Sequence, residues 1–190
     1  SKIFNVAAEF AAAFTDNVSF DFDGANDYLD FQSGNIGDAL ETTGSVSMWV
    51  KLDSMSANGV MWQIHAEEGT NDQLFILWQN ASGVIRGNVK LSGTANIVDS
   101  GGGLENDGNW HHVVMTWMSN DTRTAANNIV RLYIDGSQTD TDAIGNTWGD
   151  ASAPAFFVIG RNNIQSNAYF NGHMNDIAIF SDVLTSSEVT

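Results

Sequence analysis

Aromatic and polar side chains suited to sugar recognition are concentrated in three consecutive apolar segments of the chain. The segment GVMWQIHAE holds Trp62 and His65, QLFILWQN holds Trp78 and Asn80, and VIRGNVKL holds Arg86. A sugar site needs a flat aromatic ring that stacks on the C–H face of the sugar and polar groups that converge on its hydroxyls. Because the three segments have the pattern of strands that would pair in succession, these side chains could share one face of a sheet.

Three residues of predicted loops could complete the same site. Trp148, Arg161 and Asn162 would add a further indole, a cation and an amide. The alternative interpretation places Trp62 and Trp78 in the core, because a sandwich with six tryptophans uses most of them for packing. The sequence does not determine which tryptophans are exposed, so this glycan site is a prediction for the structure to test.

Two adjacent histidines, His111 and His112, stand in the run WHHVVMTW. Neighbouring residues of a strand point to opposite faces, so the two rings cannot both bind one metal ion. We interpret them as packing and hydrogen-bonding residues rather than as ligands of a zinc site. The chain also lacks the G-x-S-x-G pattern that marks the nucleophile of many serine hydrolases.

The charge balance is strongly acidic, with seven Lys and Arg against 23 Asp and Glu and a net charge of −16. Such a surface repels nucleic acid and anionic membranes. Asp outnumbers Glu, which suits turns because Asp bends and caps the backbone locally. The acidic surface indicates either a very soluble protein or loop carboxylates that bind a hard cation such as calcium.

Three features of the sequence bear on the location of the protein: its cysteine content, the length of its apolar runs and its first residues. The chain has no cysteine, and no apolar run approaches the ~18 to 20 residues that span a bilayer. Its first residues, SKIFNVAAEF, lack the pattern of a signal peptide. We expect an extracellular or particle (virion) surface, reached either after removal of a signal or by another route such as assembly into a virus particle.

Short alternating apolar runs separated by turn signals fill the chain after residue 17. SVSMWVKLD predicts a strand with Val46, Met48 and Val50 on one face, and VSFDFDGANDYLDFQ predicts a first hairpin. The central pair is Trp110 to Trp117 and Ile129 to Ile134, followed by a tight turn at Asp135-Gly136. LTSSEV predicts a final helical turn that begins at Thr185, with Glu188 at the capping-box distance.

This pattern predicts an all-β fold with little helix, a sandwich or barrel in one domain over residues 18–190. Residues 1–17, which contain the Ala-rich run AAEFAAAF, are predicted to form a separate arm or attachment segment.

Six motifs together resemble the laminin-G-like and pentraxin-like branch of the concanavalin A-like lectin/glucanase superfamily. They are, in the order of the family, FDGANDYLDF, SVSMWVKL, NWHHVVMTW, VRLYIDG, FFVIGRN and FNGHMNDIAIFSDVLTSSEV. The resemblance covers most of the chain and implies a jelly-roll β-sandwich of two curved antiparallel sheets. Within such a fold, Trp110 and Trp117 would fill the space between the sheets, and Gly136 would take a positive φ in a two-residue turn.

The resemblance also implies one structural Ca²⁺ ion, because members of this superfamily often hold calcium between the loop after the first strand and the last strand. The matching positions are Asp23, Gly24, Asn26, Asp27 and Asp176. Their carboxylate, amide and carbonyl oxygens are the ligands that calcium prefers. The alternative is that Asp23 and Asp27 cap a turn while Asp176 ends a strand.

Catalysis is not indicated. The glucanases of this superfamily place carboxylates at alternating positions of one strand, in the pattern E-x-D-x-E. Here FDFDG puts Asp21 and Asp23 on one face but contains no glutamate and matches a non-catalytic opening strand. We therefore predict a non-enzyme.

The leading functional hypothesis is a lectin-like recognition or adhesion module that binds a glycan or a surface protein. The alternative is a structural or decoration protein of a virion, such as a phage capsid, or of a surface layer, in which residues 1–17 dock on a scaffold. Neither hypothesis includes nucleic acid or membrane insertion, and both leave an oligomer open.

Overall fold

The computed structural model describes residues 4–5, 19–32, 43–53, 58–65, 73–79, 82–91, 94–104, 107–118, 128–144, 156–162 and 168–190. Within these residues the strands are β1 (Phe4–Asn5), β2 (Phe20–Asp23), β3 (Leu29–Gln32), β4 (Thr43–Leu52), β5 (Gly59–His65), β6 (Gln73–Gln79), β7 (Ile85–Leu91), β8 (Thr94–Asp99), β9 (His111–Met118), β10 (Ile129–Ile134), β11 (Ser137–Ala143), β12 (Phe156–Ile159) and β13 (Asn171–Phe180).

The strands form two antiparallel sheets that pack face to face. Sheet A has seven strands in the order β1-β13-β4-β9-β10-β11, and β2 also pairs with β13. Sheet B has six strands in the order β3-β12-β5-β6-β7-β8. The predicted all-β sandwich of two antiparallel sheets is confirmed, and the described part of the chain contains no α-helix.

The core lies between the sheets and follows the predicted alternation. Val46, Met48 and Val50 of β4 are fully buried, as are alternate residues of β9 and β10. Trp62 of β5 and Trp117 of β9 contact each other across the core, with ring centroids 5.9 Å apart. Two buried indoles remove a large apolar area from water, and they join one sheet to the other.

The predicted role of Trp110 is wrong. Trp110 precedes β9 and has the strand parity of His112, so its ring contacts His173 on the outer side of sheet A. Trp117 has the opposite parity and is 0% exposed, as expected for a residue between the sheets.

The central hairpin and its turn agree with the sequence analysis. β9 pairs with β10 from Met118 opposite Ile129 to Val113 opposite Ile134. β10 then pairs with β11 through a turn in which Asp135 and Gly136 both have positive φ, 50° and 78°. That combination is the type I′ conformation which suits the twist of a two-residue hairpin.

The predicted first hairpin is wrong, because its two strands belong to different sheets. β2 pairs with β13 in sheet A, whereas β3 pairs with β12 in sheet B. Phe22 is buried in the core from sheet A, and Phe31 packs on the same core from sheet B. Alternation identifies the apolar face of each strand but does not say which sheet the strand joins.

The ends of the chain contact sheet A. Two residues of the predicted arm, Phe4 and Asn5, pair with β13, and the rest of that segment lies outside the described residues. At the other end, the backbone N–H of Thr185 donates to Glu188 at 2.9 Å, which confirms half of the predicted capping box. No helix in the described residues has the length and apolar character needed to cross a membrane.

Candidate functional site

The predicted glycan residues of strands β5 to β7 do not form one described cluster. Trp62 is 0% exposed and packs on Trp117, so it offers no ring face to a ligand; its predicted stacking role is wrong. The backbone of Trp78 lies opposite Arg86 in the β6–β7 pairing. The side chains of His65 and Trp78 lie outside the described part of the structure, as do all atoms of two further predicted residues, Asn80 and Trp148.

The two described arginines of the predicted site are far apart and paired with carboxylates. Arg86 of β7 lies 3.8 Å from Asp99. Arg161 follows β12, three strands away from β7, and its guanidinium lies 3.3 Å from Asp30 and 3.7 Å above the centre of the Tyr28 ring. Asn162, the neighbour of Arg161, donates its backbone N–H to Ala168 O.

The predicted calcium residues are not brought together as a set. Asp23 lies opposite Asn171 in the β2–β13 pairing, and Asp176 lies five positions further along β13. At a strand rise of about 3.3 Å per residue, the two aspartates are separated by roughly 15 Å. The described residues also contain no group of three or more His, Cys, Asp or Glu that could hold a metal ion.

The carboxylates of the β2–β3 connection bind backbone instead. Asp23 Oδ1 accepts hydrogen bonds from the N–H groups of Ala25, at 2.8 Å, and Asn26. Asp27 Oδ2 accepts from the N–H of Asp23 at 3.0 Å, and Gly24 takes a φ of 75° in this turn. These contacts agree with the alternative interpretation, in which the aspartates cap a turn that carries the chain from one sheet to the other.

Asp176 lies at an irregularity of β13. Its φ is 49°, and the β13–β4 register shifts between Asn175 and Ala178, as in a β-bulge. Asn175 Oδ1 accepts a hydrogen bond from the Asp176 N–H at 2.8 Å, and burial raises the pKa of the Asp176 carboxyl. Bulges, and positive φ at a residue other than Gly, are enriched near functional sites. The strand surface beside Asp176 is therefore a candidate binding surface.

That surface is one half of the outer face of sheet A. The register aligns Asn175 of β13, Trp49 of β4 and His112 of β9 in one row, with His173 opposite Lys51 in the next row. Trp110 extends β9 at the same edge. All these side chains are partly exposed. We name this surface the open face and define it by six residues: Trp49, Lys51, Trp110, His112, His173 and Asn175.

Two aromatic pairs make up most of the open face. The Trp49 indole stacks on the His112 imidazole, with centroids 5.2 Å apart and an interplanar angle of 26°. The Trp110 indole lies 6.3 Å from the His173 ring at 53°. Asp21, which is exposed on β2, lies 3.6 Å from His173 Nδ1. The surface thus combines flat rings with groups that donate and accept hydrogen bonds.

Burial fixes the charge state of His112. Partial burial lowers the pKa of the ring, so the imidazole is neutral at pH 7. Its Nε2 lies 2.8 Å from Ser47 Oγ, a hydrogen bond that orients the ring stacked on Trp49. A neutral imidazole in a fixed orientation presents an apolar ring face, and an uncharged ligand can pack against it.

The other half of the outer face is covered by the end of the chain. Val114 and Tyr133 are buried under Leu184 and Val189. Ser45 Oγ donates to Asp182 O and accepts from the Leu184 N–H, both at 2.8 Å, and these bonds anchor the segment. The outer face of sheet A therefore has a closed half and an open half.

The open face was not predicted from the sequence, and the reason can be identified. Trp110 was predicted to fill the space between the sheets, and the two histidines were interpreted as packing and hydrogen-bonding residues. The parity of Trp110 and His112 was the available signal, since both share the face opposite to the buried Trp117.

Comparisons with known proteins agree with the geometry of the fold. A model of the laminin-G-like family, described as the concanavalin A-like lectin/glucanases superfamily, matches residues 23–190. A comparison with curated protein sequences finds no significant match.

Similar solved structures include the CBM40 domain of the Ruminococcus gnavus IT-sialidase bound to α2,3-sialyllactose, with a TM-score of 0.70, 14% identity, and coverage of 90% of this chain and 93% of that chain. The native heptameric SAP-like pentraxin of Limulus polyphemus has a TM-score of 0.62 and 18% identity, over 89% of this chain and 78% of that chain. The botulinum neurotoxin serotype D binding domain has a TM-score of 0.63 and 17% identity, over 90% of this chain and 41% of that chain.

At these identities the solved structures show the shared fold, while the family model covers most of the chain. This protein belongs to the laminin-G-like family of the concanavalin A-like lectin/glucanases superfamily.

Proposed function

We propose that this domain is a non-catalytic, lectin-like binding module that takes a neutral glycan on the open face of sheet A. The observation that carries the proposal is the pairing of Trp49 with His112 and of Trp110 with His173 on a partly exposed sheet surface. Stacking rings flanked by polar side chains are the features that sugar recognition requires. The names of the similar structures, a carbohydrate-binding domain and a toxin binding domain, support a binding role in general.

The charge of the protein favours a neutral ligand over an anionic one. An acidic sugar is bound best by an arginine that is free to form two hydrogen bonds with the carboxylate. None of the six residues that define the open face is an arginine. Arg86 of sheet B and Arg161, which follows β12 of the same sheet, lie beside Asp99 and Asp30, and the net charge of −16 repels anions at long range. The ligand class that we propose therefore differs from the sialyllactose in the structure of the CBM40 domain.

A glycan array tests this proposal. Wild-type protein is compared with Trp110→Ala and Trp49→Ala, and Ile97→Ala serves as the control because Ile97 is 44% exposed on sheet B. Loss of one stacking ring should weaken binding by about 1 to 2 kcal/mol, roughly 5- to 30-fold, while the control binds as wild type. Uniform absence of binding, or exclusive binding of sialylated glycans, would refute the proposal.

Two further arms of the array test predictions that stay open. Trp78→Ala reports on the site predicted from strands β5 to β7. Addition of a chelator reports on the predicted calcium ion, which would have to bind without the full predicted set because Asp23 and Asp176 lie apart. The predicted location, a cell or particle surface, suits a module of this kind. The virion and surface-layer alternative has no support among these comparisons.

A further inference from the structure

His111 is held between two carboxylates at the end of β9. Its Nε2 lies 2.8 Å from Asp107 Oδ2, and its Nδ1 lies 2.8 Å from Asp135 Oδ2. Asp107 belongs to the loop before β9, and Asp135 belongs to the turn after β10. The ring thus links two connections that lie side by side at one end of sheet A. We name these three residues the histidine clamp.

The geometry of the clamp requires a protonated ring. Both carboxylates accept hydrogen bonds, so both ring nitrogens must donate, and only the imidazolium form has two N–H groups. The side chain of His111 is only 12% exposed. Burial by itself lowers the pKa of His111, but the bonds to Asp135 and Asp107 together outweigh burial and raise it above its ordinary value. Across the sheet, β4 places the uncharged Val50 opposite this residue.

The clamp encloses Trp110 of the open face. Asp107 Oδ1 accepts a hydrogen bond from the N–H of Asn109 at 2.8 Å, while its Oδ2 binds the His111 ring. A single carboxylate therefore closes the short loop 107–111 from both sides, and Trp110 lies inside that loop. This loop carries the Trp110 indole, which lies 6.3 Å from the His173 ring.

The same clamp reaches His112, the other aromatic neighbour on the open face. Asp135 Oδ1 accepts from the backbone N–H of His112 at 2.8 Å, and the N–H of Asp135 donates to His112 O at 2.8 Å. The second carboxylate oxygen of Asp135 binds His111. One aspartate thus fixes both the histidine clamp and the backbone beneath the Trp49–His112 stack.

We infer that His111 is a positioning residue for the open face, and that loss of its proton releases the loop of Trp110 and weakens glycan binding. A neutral imidazole has one N–H, so one carboxylate would face a lone pair at hydrogen-bond distance and would move away. The inference about binding rests on the proposed function, whereas the link between the clamp and Trp110 does not.

The link is tested without any glycan by NMR of the histidine ring nitrogens and the tryptophan indoles over a pH titration. At about pH 7 both nitrogens of His111 should carry protons, and the ring should titrate above the ordinary histidine value of about 6.5. The Trp110 indole resonance should move with the same midpoint. A neutral His111 at about pH 7, or a Trp110 signal that ignores the titration of His111, would overturn the inference.

Two matched variants separate the clamp from general charge effects. Asp107→Asn removes one carboxylate from His111 and should shift both midpoints to lower pH. Asp23→Asn removes the same charge from a similar turn, in which Asp23 Oδ1 accepts from Ala25 N, but has no contact with His111. It should leave both midpoints unchanged. Equal shifts in the two variants would overturn the inference.

The effect on binding is measured with the same glycan array at about pH 6 and about pH 9. For wild type, binding at the higher pH should be about tenfold weaker, the equivalent of one lost charge-assisted hydrogen bond. Binding that is equal at both pH values would contradict the positioning role. An array without signal at either pH would refute the proposed glycan function alone, because the NMR titration decides the clamp by itself.

Discussion

Gly44 provides the sharpest test of how the two sheets pack. It lies on β4 directly opposite Trp117 of β9, and its backbone has no positive φ that would require glycine. A Cβ atom at this position would overlap Cζ2 of Trp117 and would lie 2.9 Å from two further indole atoms. Trp117 cannot move aside cheaply, because it is 0% exposed and packs on Trp62.

The expected cost of Gly44→Ala follows from two opposing effects. Overpacking of a tight core costs about 1 to 3 kcal/mol. Replacement of glycine reduces the entropy of the unfolded chain and returns about 0.4 to 1 kcal/mol. We therefore expect a net loss of about 1 to 2 kcal/mol in the free energy of unfolding, or roughly 2 to 8 °C in Tm for a chain of this size.

The assay is equilibrium denaturation in urea, with Gly102→Ala as the matched control. A Cβ atom at Gly102 meets nothing within 4 Å, so the control should be as stable as wild type or slightly more stable. Trp117→Phe, which shortens the indole, should relieve the overlap, so the double variant should be more stable than the sum of the single effects by about 1 kcal/mol. Equal stability of Gly44→Ala and Gly102→Ala, or strict additivity with Trp117→Phe, would refute the proposed packing.

Three further predictions concern stability. The pKa of His111 is raised in the folded protein, so protonation of His111 contributes to the free energy of unfolding. This contribution is full below the unfolded pKa of about 6.5 and is lost as the pH rises through the folded pKa. The urea midpoint should therefore fall over that pH range in wild type, and it should fall less in Asp107→Asn. Hydrogen bonds from Thr185 lower the pKa of Glu188, and Glu188→Ala removes their acceptor; hydrogen exchange at the Thr185 N–H should therefore increase, and an unchanged rate would contradict the cap. Added calcium should not raise the Tm if the carboxylates of Asp23 and Asp27 serve only to accept hydrogen bonds from backbone N–H groups of the turn, and a concentration-dependent rise would contradict that interpretation.

Local patterns predicted the strands better than they predicted the partners of each strand. The alternation in β4 and β9 identified the buried faces, and Asp135-Gly136 identified the tight turn. The pairing of β2 with β13, about 150 residues away along the chain, has no local signal. The predicted hairpin between β2 and β3 failed for this reason.

The site was harder to predict, because exposure depends on what the chain places on each sheet face. Trp62 and Trp49 have similar apolar neighbours in the sequence, yet Trp62 faces the core and Trp49 lies partly exposed on the outer face. The closing segment around Leu184 and Val189 covers half of that outer face, and nothing in the sequence of β9 or β10 indicates where the cover ends. Only the assembled sheet shows that Trp110 belongs to the open half.

The most direct test of the open face uses the indole N–H resonances of the six tryptophans in a ¹H–¹⁵N spectrum. During titration with a neutral glycan selected from the array, the resonances of Trp49 and Trp110 should shift, while those of the buried Trp62 and Trp117 should stay in place. Shifts confined to Trp78 or Trp148, with Trp49 and Trp110 unchanged, would contradict the assignment of binding to the open face.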